Sequence, residues 1–263
     1  MSTTVHIMGM DIDLLTQETF QSQMIGYLEE DGLNVVHMIS LDYIDTYEKN
    51  EIVQETLSEA DLILPGEKTI LSAHHVDVLE MGGMCVDYRS ILEFMKPIDL
   101  SDKKWYLVLR DEKEARVIKR YFYRHFSREN IIGIRTMDSG VTDEALINDI
   151  NTGLPDIVLL SMDSTGQEEW LLENKGKINA KLCVVGGSIF PLIIRDNVHI
   201  PKWLKKLHLG GVYRFFARIP YTHFFRKRIF NRQMDDYITK KKIEGSIENV
   251  KTTEAFGESK KED

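Results

Sequence analysis

One segment decides the fold: residues 156–170 read DIVLLSMDSTGQEEW. An apolar run with strand character breaks into a polar turn, and a helix then opens with Gln167, Glu168 and Trp170. Ligands of α/β proteins bind where strands end. This strand-to-helix turn is therefore the place where we expect a functional site.

Apolar runs recur along the chain, most of them solid rather than alternating, as in strands that are buried on both faces. They lie at residues 5–8, 34–41, 61–64, 105–109, 131–135, 156–162 and 180–185. Apolar residues three and four apart predict helices at residues 16–30, 45–58, 112–126 and 143–151. Alternation of strands and helices predicts an α/β fold: a Rossmann-like parallel sheet flanked by helices, with a basic helical C-terminal appendage.

The chain changes character after Gly186-Gly187. Prolines and glycines cut it into short helical pieces, and a longer helical piece follows at residues 221–242. From residue 243 onward the composition is polar, as in disordered segments. We therefore predict a Rossmann-like domain over residues 1–200, a basic aromatic appendage over 201–242 and a disordered tail over 243–263.

Size and composition narrow the class of protein. With 263 residues, 43% of them hydrophobic, the chain can bury one sizeable core. Its first residues lack the pattern of a signal peptide, and the longest apolar stretch, residues 182–194, is too short to span a bilayer. Cys85 and Cys183 are too few for a disulfide framework. We expect a cytoplasmic protein.

Charge is distributed unevenly. The formal net charge is −9, yet residues 202–242 hold twelve Lys or Arg against two Asp, with aromatic residues interleaved. A basic aromatic helix is typical of segments that bind a membrane surface. The alternative is a helix that packs its aromatic side on the domain and leaves its cations in water. We expect no nucleic-acid binding, because nothing else in this acidic protein supports it.

Polar groups follow five of the predicted strands. They are Asp42, residues 66–69, Arg110 with Asp111, residues 138–140 and residues 163–168. Because the carboxyl ends of parallel strands share one edge of a sheet, we expect these groups to line one crevice. No metal site is expected at His74, His75 and Asp77, because adjacent histidines on a helix do not share a face.

Several motifs occur in a fixed order over most of the chain. They are IMGMDIDLLT at residues 7–16, ADLILP at 60–65, Gln167-Glu168-x-Trp170, Gly186-Gly187, Pro201-Lys202-Trp203 and Tyr213-Arg214. Ordered matches are far more specific than any one motif. With them the sequence resembles the WecG/TagA/CpsF family of glycosyltransferases, whose pattern D-I-V-x-V-x-x-G-x-P-x-Q-E-x-W parallels residues 156–170.

This resemblance implies a metal-independent, inverting enzyme without a cofactor. Such an enzyme moves N-acetylmannosamine or a related sugar from a UDP donor to a polyprenyl-diphosphate-linked acceptor, in teichoic acid, common antigen or capsule assembly. It also implies a peripheral position at the inner face of the cell membrane, reached through residues 202–242, and it is compatible with a homo-oligomer.

Residue roles follow from the same resemblance. The expected general base is Glu67, with Asp42 or Asp163 as its substitute. The residues expected to bind the donor are Gln167, Glu168, Thr69, Gly187, Arg214, Arg218, Arg226 and Arg228. Guanidinium groups bind phosphate oxygens in pairs and would stabilise the departing diphosphate. In the alternative interpretation, Gln167 and Glu168 only cap their helix and the arginines coat a surface.

The sequence also departs from the family pattern. The family reads Leu-Pro-Asp-Gly where residues 64–67 read Leu-Pro-Gly-Glu, so the carboxylate moves by one residue. Asp42 stands in place of an Asn, and Arg110-Asp111 in place of a glycine-bearing turn after the fourth strand. These departures favour a second hypothesis, a degenerate family member that binds a partner enzyme, a lipid or a nucleotide without catalysis. A third is a nucleotide-binding α/β enzyme unrelated to the family.

Overall fold

The computed structural model describes residues 2–73, 83–125, 128–162, 166–187 and 189–196, together with Arg232, Asp235, Asp236 and Thr239. Its strands are β1 (Ser2–Ile7), β2 (Met10–Leu15), β3 (Asn34–Ile39), β4 (Leu62–Pro65), β5 (Trp105–Leu109), β6 (Ile131–Thr136), β7 (Ile157–Leu160) and β8 (Leu182–Val185). Its helices are α1 (Gln17–Glu29), α2 (Leu41–Tyr47), α3 (Glu51–Ser58), α4 (Lys68–Ala73), α5 (Tyr88–Met95), α6 (Glu112–His125), α7 (Asp143–Gly153), α8 (Gly166–Asn174) and α9 (Phe190–Asp196).

Six of these strands form one parallel sheet in the order β4-β3-β8-β7-β5-β6. In its middle β8 pairs with β3 on one side and with β7 on the other, and Leu182 stands opposite both Asn34 and Ile157. Every residue of β4, β5 and β7 is buried. Solid apolar strands therefore form a sheet covered on both faces, which confirms the predicted α/β fold.

Helices pack on both faces of this sheet because each contributes an apolar side. One face contacts α1, α5, α6 and α9, through residues such as Phe20, Ile91, Ile118 and Leu192. The other face contacts α7 and α8, through residues such as Leu146, Ile150, Trp170 and Leu171. Each such side chain, once fully buried, contributes about 1.5–3 kcal/mol to folding.

The first predicted strand, residues 5–8, does not join the parallel sheet. Instead β1 and β2 form an antiparallel hairpin, whose turn places Met8 and Gly9 at φ 49° and 88°. The hairpin packs beside β4, where Asp13 Oδ2 accepts a hydrogen bond from the Ile63 N–H at 3.0 Å. Burial in β2 alternates at its start, as expected for a strand with one buried face.

The predicted helix at residues 45–58 is two helices. Asn50 interrupts it, because its side chain accepts hydrogen bonds from the Ile52 and Val53 N–H groups and so begins α3. The preceding helix α2 starts directly after Ser40, which ends β3 two residues earlier than predicted. Asp42 consequently lies in the first turn of a helix that follows β3 immediately.

The appendage and tail predicted for residues 201–263 lie outside the described residues, apart from the four residues named above. Those boundaries stay predictions. Within the described part of the chain, no helix is long and apolar enough to cross a membrane. Cys85 and Cys183 are both buried and unbridged.

Candidate functional site

The candidate site is the carboxyl edge of the parallel sheet. After β5 the chain passes through α6 to β6, whereas after β7 it passes through α8 to β8, on the other side and over the opposite face. The ends of β5 and β7 therefore flank a topological switch point, where loops diverge and open a crevice. Within the segment 156–170, the end of β7 and the start of α8 lie at this point.

Glu67 follows β4 at this edge and is partly exposed. Its Oε1 accepts a hydrogen bond from the Leu41 N–H at 3.1 Å, which joins the end of β4 to the start of α2. Asp42 is the next residue along α2, so its backbone lies at the same edge of the sheet as the Glu67 side chain. Thr69 follows Glu67 by two residues, lies in α4 and is partly exposed.

Gly66 explains why the carboxylate of this chain is displaced by one residue. A Cβ atom at Gly66 would lie 2.0 Å from Ile189 Cδ1 and 2.6 Å from the Ile39 carbonyl oxygen. No side chain fits there, so the acidic residue of this turn occupies the following position. Space at the end of β4 therefore requires the order Gly-Glu.

Gln167 and Glu168 begin α8 and are buried, with 2% and 0% of their surface exposed. Gln167 Oε1 accepts a hydrogen bond from the Met162 N–H at 3.2 Å, and its Nε2 donates to Glu168 Oε1 at 2.9 Å. Both side chains thus bond within the protein and hold the turn after β7. Their predicted contact with the donor stays a prediction.

Glu168 also bonds to α2. The Tyr43 hydroxyl donates to Glu168 Oε1 at 2.6 Å, so the helix that carries Asp42 is tied to the helix that carries Gln167. Burial raises the pKa of the Glu168 carboxyl, and the hydrogen bonds from Tyr43 and Gln167 offset part of that rise. Burial, followed by the Glu168 charge, raises the pKa of the Tyr43 hydroxyl well above its ordinary value.

Gly187, at the end of β8, lies against the same turn. A Cβ atom there would be 2.5 Å from Gln167 Oε1 and 2.7 Å from the Met162 carbonyl oxygen, so only glycine fits. This close approach brings together Gly187 and Gln167, two of the residues predicted to bind the donor. With Gly187 in this position, its carbonyl oxygen lies within hydrogen-bond distance of the residue that follows β5.

Arg110 makes that connection, and the sequence analysis did not place it among the donor-binding residues. Its Nη2 donates to the Gly187 carbonyl at 3.2 Å and to the Met162 carbonyl at 3.4 Å. Below it, Glu114 Oε2 accepts hydrogen bonds from the Arg110 N–H at 2.8 Å and from Ser161 Oγ at 3.0 Å. The sequence feature that could have identified Arg110 is its position directly after the apolar run of residues 105–109, which is a predicted strand.

The four predicted arginines, Arg214, Arg218, Arg226 and Arg228, lie outside the described residues, as do Asp163, His74, His75 and Asp77. Within the residues that the structure describes, no group of three or more His, Cys, Asp or Glu is arranged to hold a metal ion. The described part of the site therefore consists of the Glu67 carboxylate, the Arg110 guanidinium and a buried polar line, which is the hydrogen-bonded set Tyr43, Glu168 and Gln167.

Replacing Tyr43 by Phe tests this polar line. A carboxyl with a raised pKa stabilises the fold below its ordinary pKa of 4.5, and this stability is lost as the pH rises through the folded pKa. Without the Tyr43 hydroxyl the ionised form of Glu168 loses a donor. We expect Tyr43→Phe to lower the free energy of unfolding by about 1–3 kcal/mol at pH 7 and by less at pH 5, measured by urea unfolding.

Tyr47→Phe is the matched control, because Tyr47 lies in the same helix and its exposed hydroxyl donates to the Gly9 carbonyl at 3.1 Å. We expect this variant to lose under about 1 kcal/mol at both pH values. An equal loss for Tyr43→Phe at pH 7 and pH 5 would contradict the role given to Glu168.

Comparison with known proteins identifies the family. The model of the glycosyl transferase WecG/TagA/CpsF family matches residues 5–228, which include every described element from the first hairpin to α9. No curated protein matches the chain. The family match covers most of the 263 residues and confirms the resemblance found in the sequence motifs. The chain therefore belongs to the WecG/TagA/CpsF family of glycosyl transferases, which act in cell-surface polysaccharide synthesis.

Proposed function

We propose that this protein transfers an N-acetylhexosamine of the N-acetylmannosamine type from a UDP donor to a polyprenyl-diphosphate-linked acceptor. The product belongs to a cell-surface polysaccharide or teichoic acid. The observation that carries the proposal is the position of Glu67, a partly exposed carboxylate at the carboxyl edge of the parallel sheet in a chain of this family. Family membership replaces the hypothesis of an unrelated nucleotide-binding enzyme.

The reaction needs a base on one side of the sugar and positive charge on the other. An acceptor hydroxyl attacks the anomeric carbon while the bond to the UDP oxygen breaks, and the configuration inverts. Glu67 removes the hydroxyl proton, and Asp42, in the first turn of α2, is its substitute. The hydrogen bond from the Leu41 N–H to Oε1 fixes one oxygen of the Glu67 carboxyl at this edge.

Arginine residues stabilise the departing diphosphate in this proposal. Arg214, Arg218, Arg226 and Arg228 keep their charge at any relevant pH and match phosphate oxygens in pairs. They supply the positive charge that a metal ion would otherwise provide, so we infer a metal-independent reaction. The same segment, residues 202–242, brings the protein to the inner face of the membrane, where a lipid-linked acceptor lies.

A second candidate function, a binding subunit without catalysis, is favoured by one observation. Gln167 and Glu168 are buried and bonded to each other and to the protein, so their side chains already have structural partners. Asp42 adds an anion near the expected diphosphate, which would repel the donor. Nucleotide binding and turnover distinguish the two functions.

Titration calorimetry of the full-length chain with UDP is the first test. We expect UDP to bind with micromolar affinity and ADP and GDP to bind much more weakly, because the proposed donor is a UDP-sugar. The titration is repeated with anionic vesicles, in case residues 202–242 complete the site only on a membrane. No heat with UDP under either condition would favour the non-catalytic function.

Replacing Glu67 by Gln tests the base. We expect turnover with a UDP-N-acetylhexosamine and a lipid-diphosphate acceptor to fall at least about 100-fold, because a general base contributes that much or more. Affinity for UDP should stay within about twofold, since a base acts on the acceptor. Glu55→Gln, at an exposed position of α3, is the control. Unchanged turnover in Glu67→Gln would remove Glu67 from the mechanism.

Flotation with liposomes tests the membrane interaction. We expect the full-length protein to float with anionic vesicles and not with neutral ones, and to dissociate as salt is raised, because the attraction is between cations and lipid head groups. A variant with Lys240, Lys241 and Lys242 changed to Gln should bind more weakly. Absence of the wild-type protein from the anionic vesicle fraction would exclude this role for residues 202–242.

A further inference from the structure

We propose that Tyr43 is a positioning residue for the reaction: its hydroxyl, through the first turn of α2, fixes the place of the Glu67 carboxylate. The inference rests on the proposed function, in which Glu67 is the base, and it concerns a residue that acts through another side chain. Three features support it: the contact between Glu67 and α2, the shortness of α2, and the buried hydrogen bond from Tyr43 to Glu168.

Glu67 is bonded to the start of α2. Its Oε1 accepts from the N–H of Leu41, the first residue of this helix, at 3.1 Å. The residue before it, Ser40, makes no side-chain capping hydrogen bond, although serine is a common cap. Glu67 thus bonds one of the N–H groups that the first turn of a helix leaves without an intrahelical partner. The place of this carboxylate oxygen therefore depends on the place of α2.

The helix α2 is short, with seven residues or about two turns. A helix of this length is not stable in water by itself, so contacts with the rest of the protein determine where it lies. Leu41 and Ile44 hold it in the core, with 3% and 0% of their surface exposed. Apolar contacts are not directional, and a hydrogen bond adds the direction that they lack.

The Tyr43 hydroxyl supplies such a bond. It donates to Glu168 Oε1 at 2.6 Å, and both residues are buried. The same oxygen accepts from Gln167 Nε2 at 2.9 Å, and Gln167 Oε1 accepts from the Met162 N–H at 3.2 Å, so the acceptor is fixed to the turn after β7. Because burial raises the pKa of the Tyr43 hydroxyl, this group keeps its proton and remains a donor.

The helix transmits this anchoring to the base. Tyr43 and Leu41 are two residues apart in the same turn of α2, so they move together. The hydrogen bond from Tyr43 to Glu168 therefore links the turn after β7 to the Glu67 oxygen. A general base must lie about 3 Å from the proton that it removes, and a displacement of about 1 Å can lower a rate about 100-fold. Loss of the Tyr43 hydroxyl should thus lower turnover although the base itself is unchanged.

The test is a double-mutant cycle of Tyr43→Phe and Glu67→Gln in the full-length protein, with turnover of a UDP-N-acetylhexosamine and a lipid-diphosphate acceptor as the measurement. We expect Tyr43→Phe alone to lower turnover about 10- to 100-fold, because the base is misplaced. In the Glu67→Gln background the same change should lower turnover by less than about twofold, because no base remains to be misplaced. The glutamine amide still accepts from the Leu41 N–H, so Glu67→Gln removes the base and keeps the contact.

The cycle separates positioning from stability, because a variant that is only less folded loses the same fraction of its turnover in both backgrounds. Tyr47→Phe is the matched control: its hydroxyl, in the same helix, donates to the Gly9 carbonyl, and its removal should change turnover by less than about twofold. Glu168→Gln keeps an oxygen that can accept from Tyr43, so it should lose less turnover than Tyr43→Phe.

The outcomes distinguish this inference from the proposed function. Equal fold losses for Tyr43→Phe in the two backgrounds, or wild-type turnover in Tyr43→Phe, would overturn the inference and leave the proposed function standing. A wild-type protein without turnover would instead overturn the proposed function.

Discussion

Burial of the parallel sheet on both faces is the constraint on which the rest of the structure depends. Strands such as β5 and β7 have no exposed residue, so they have no side on which to carry polar chemistry. Functional groups are confined to the strand ends, and there they must find hydrogen bonds or contact water. The residues after β3, β4, β5, β7 and β8 therefore form the candidate site and also the polar edge at which the apolar core ends.

Among the described residues, some buried polar atoms near this edge have no hydrogen-bond partner. His37 Nε2, Ser40 Oγ and Glu168 Oε2 are buried without a hydrogen-bond partner among the described residues, and all three belong to the junction of β3, α2 and α8. Each such atom costs about 1–3 kcal/mol, which a region selected only for stability would avoid. Part of this cost falls next to Asp42 at the start of α2, as expected where function opposes stability.

The sequence predicted those features that depend on local patterns. Solid apolar runs predicted the parallel sheet, because a strand that is buried on both faces is apolar at every position. Apolar residues three and four apart predicted α1, α6 and α7, because a helix that is buried on one side is apolar at that spacing. The hairpin of β1 and β2 was missed, since its turn relies on left-handed Met8 and Gly9, and two short strands look like one. Site chemistry was predicted only in outline. That Gly66 and Gly187 must be glycine depends on contacts with Ile189 and Gln167, which are far away in the chain.

The place of β8 in the sheet has a consequence for synthesis of the chain. β3 and β4 pair early, and β5, β6 and β7 pair among themselves, but β8 alone joins the two groups. Until residues 182–185 leave the ribosome, the nascent chain has two half-sheets with unprotected edges at β3 and β7, about 150 residues after β3 has appeared. Pairing across so long a loop is slow, and exposed edges aggregate. The edges of β3 and β7 are therefore the sites of this sheet at which aggregation is most readily expected until β8 has been made.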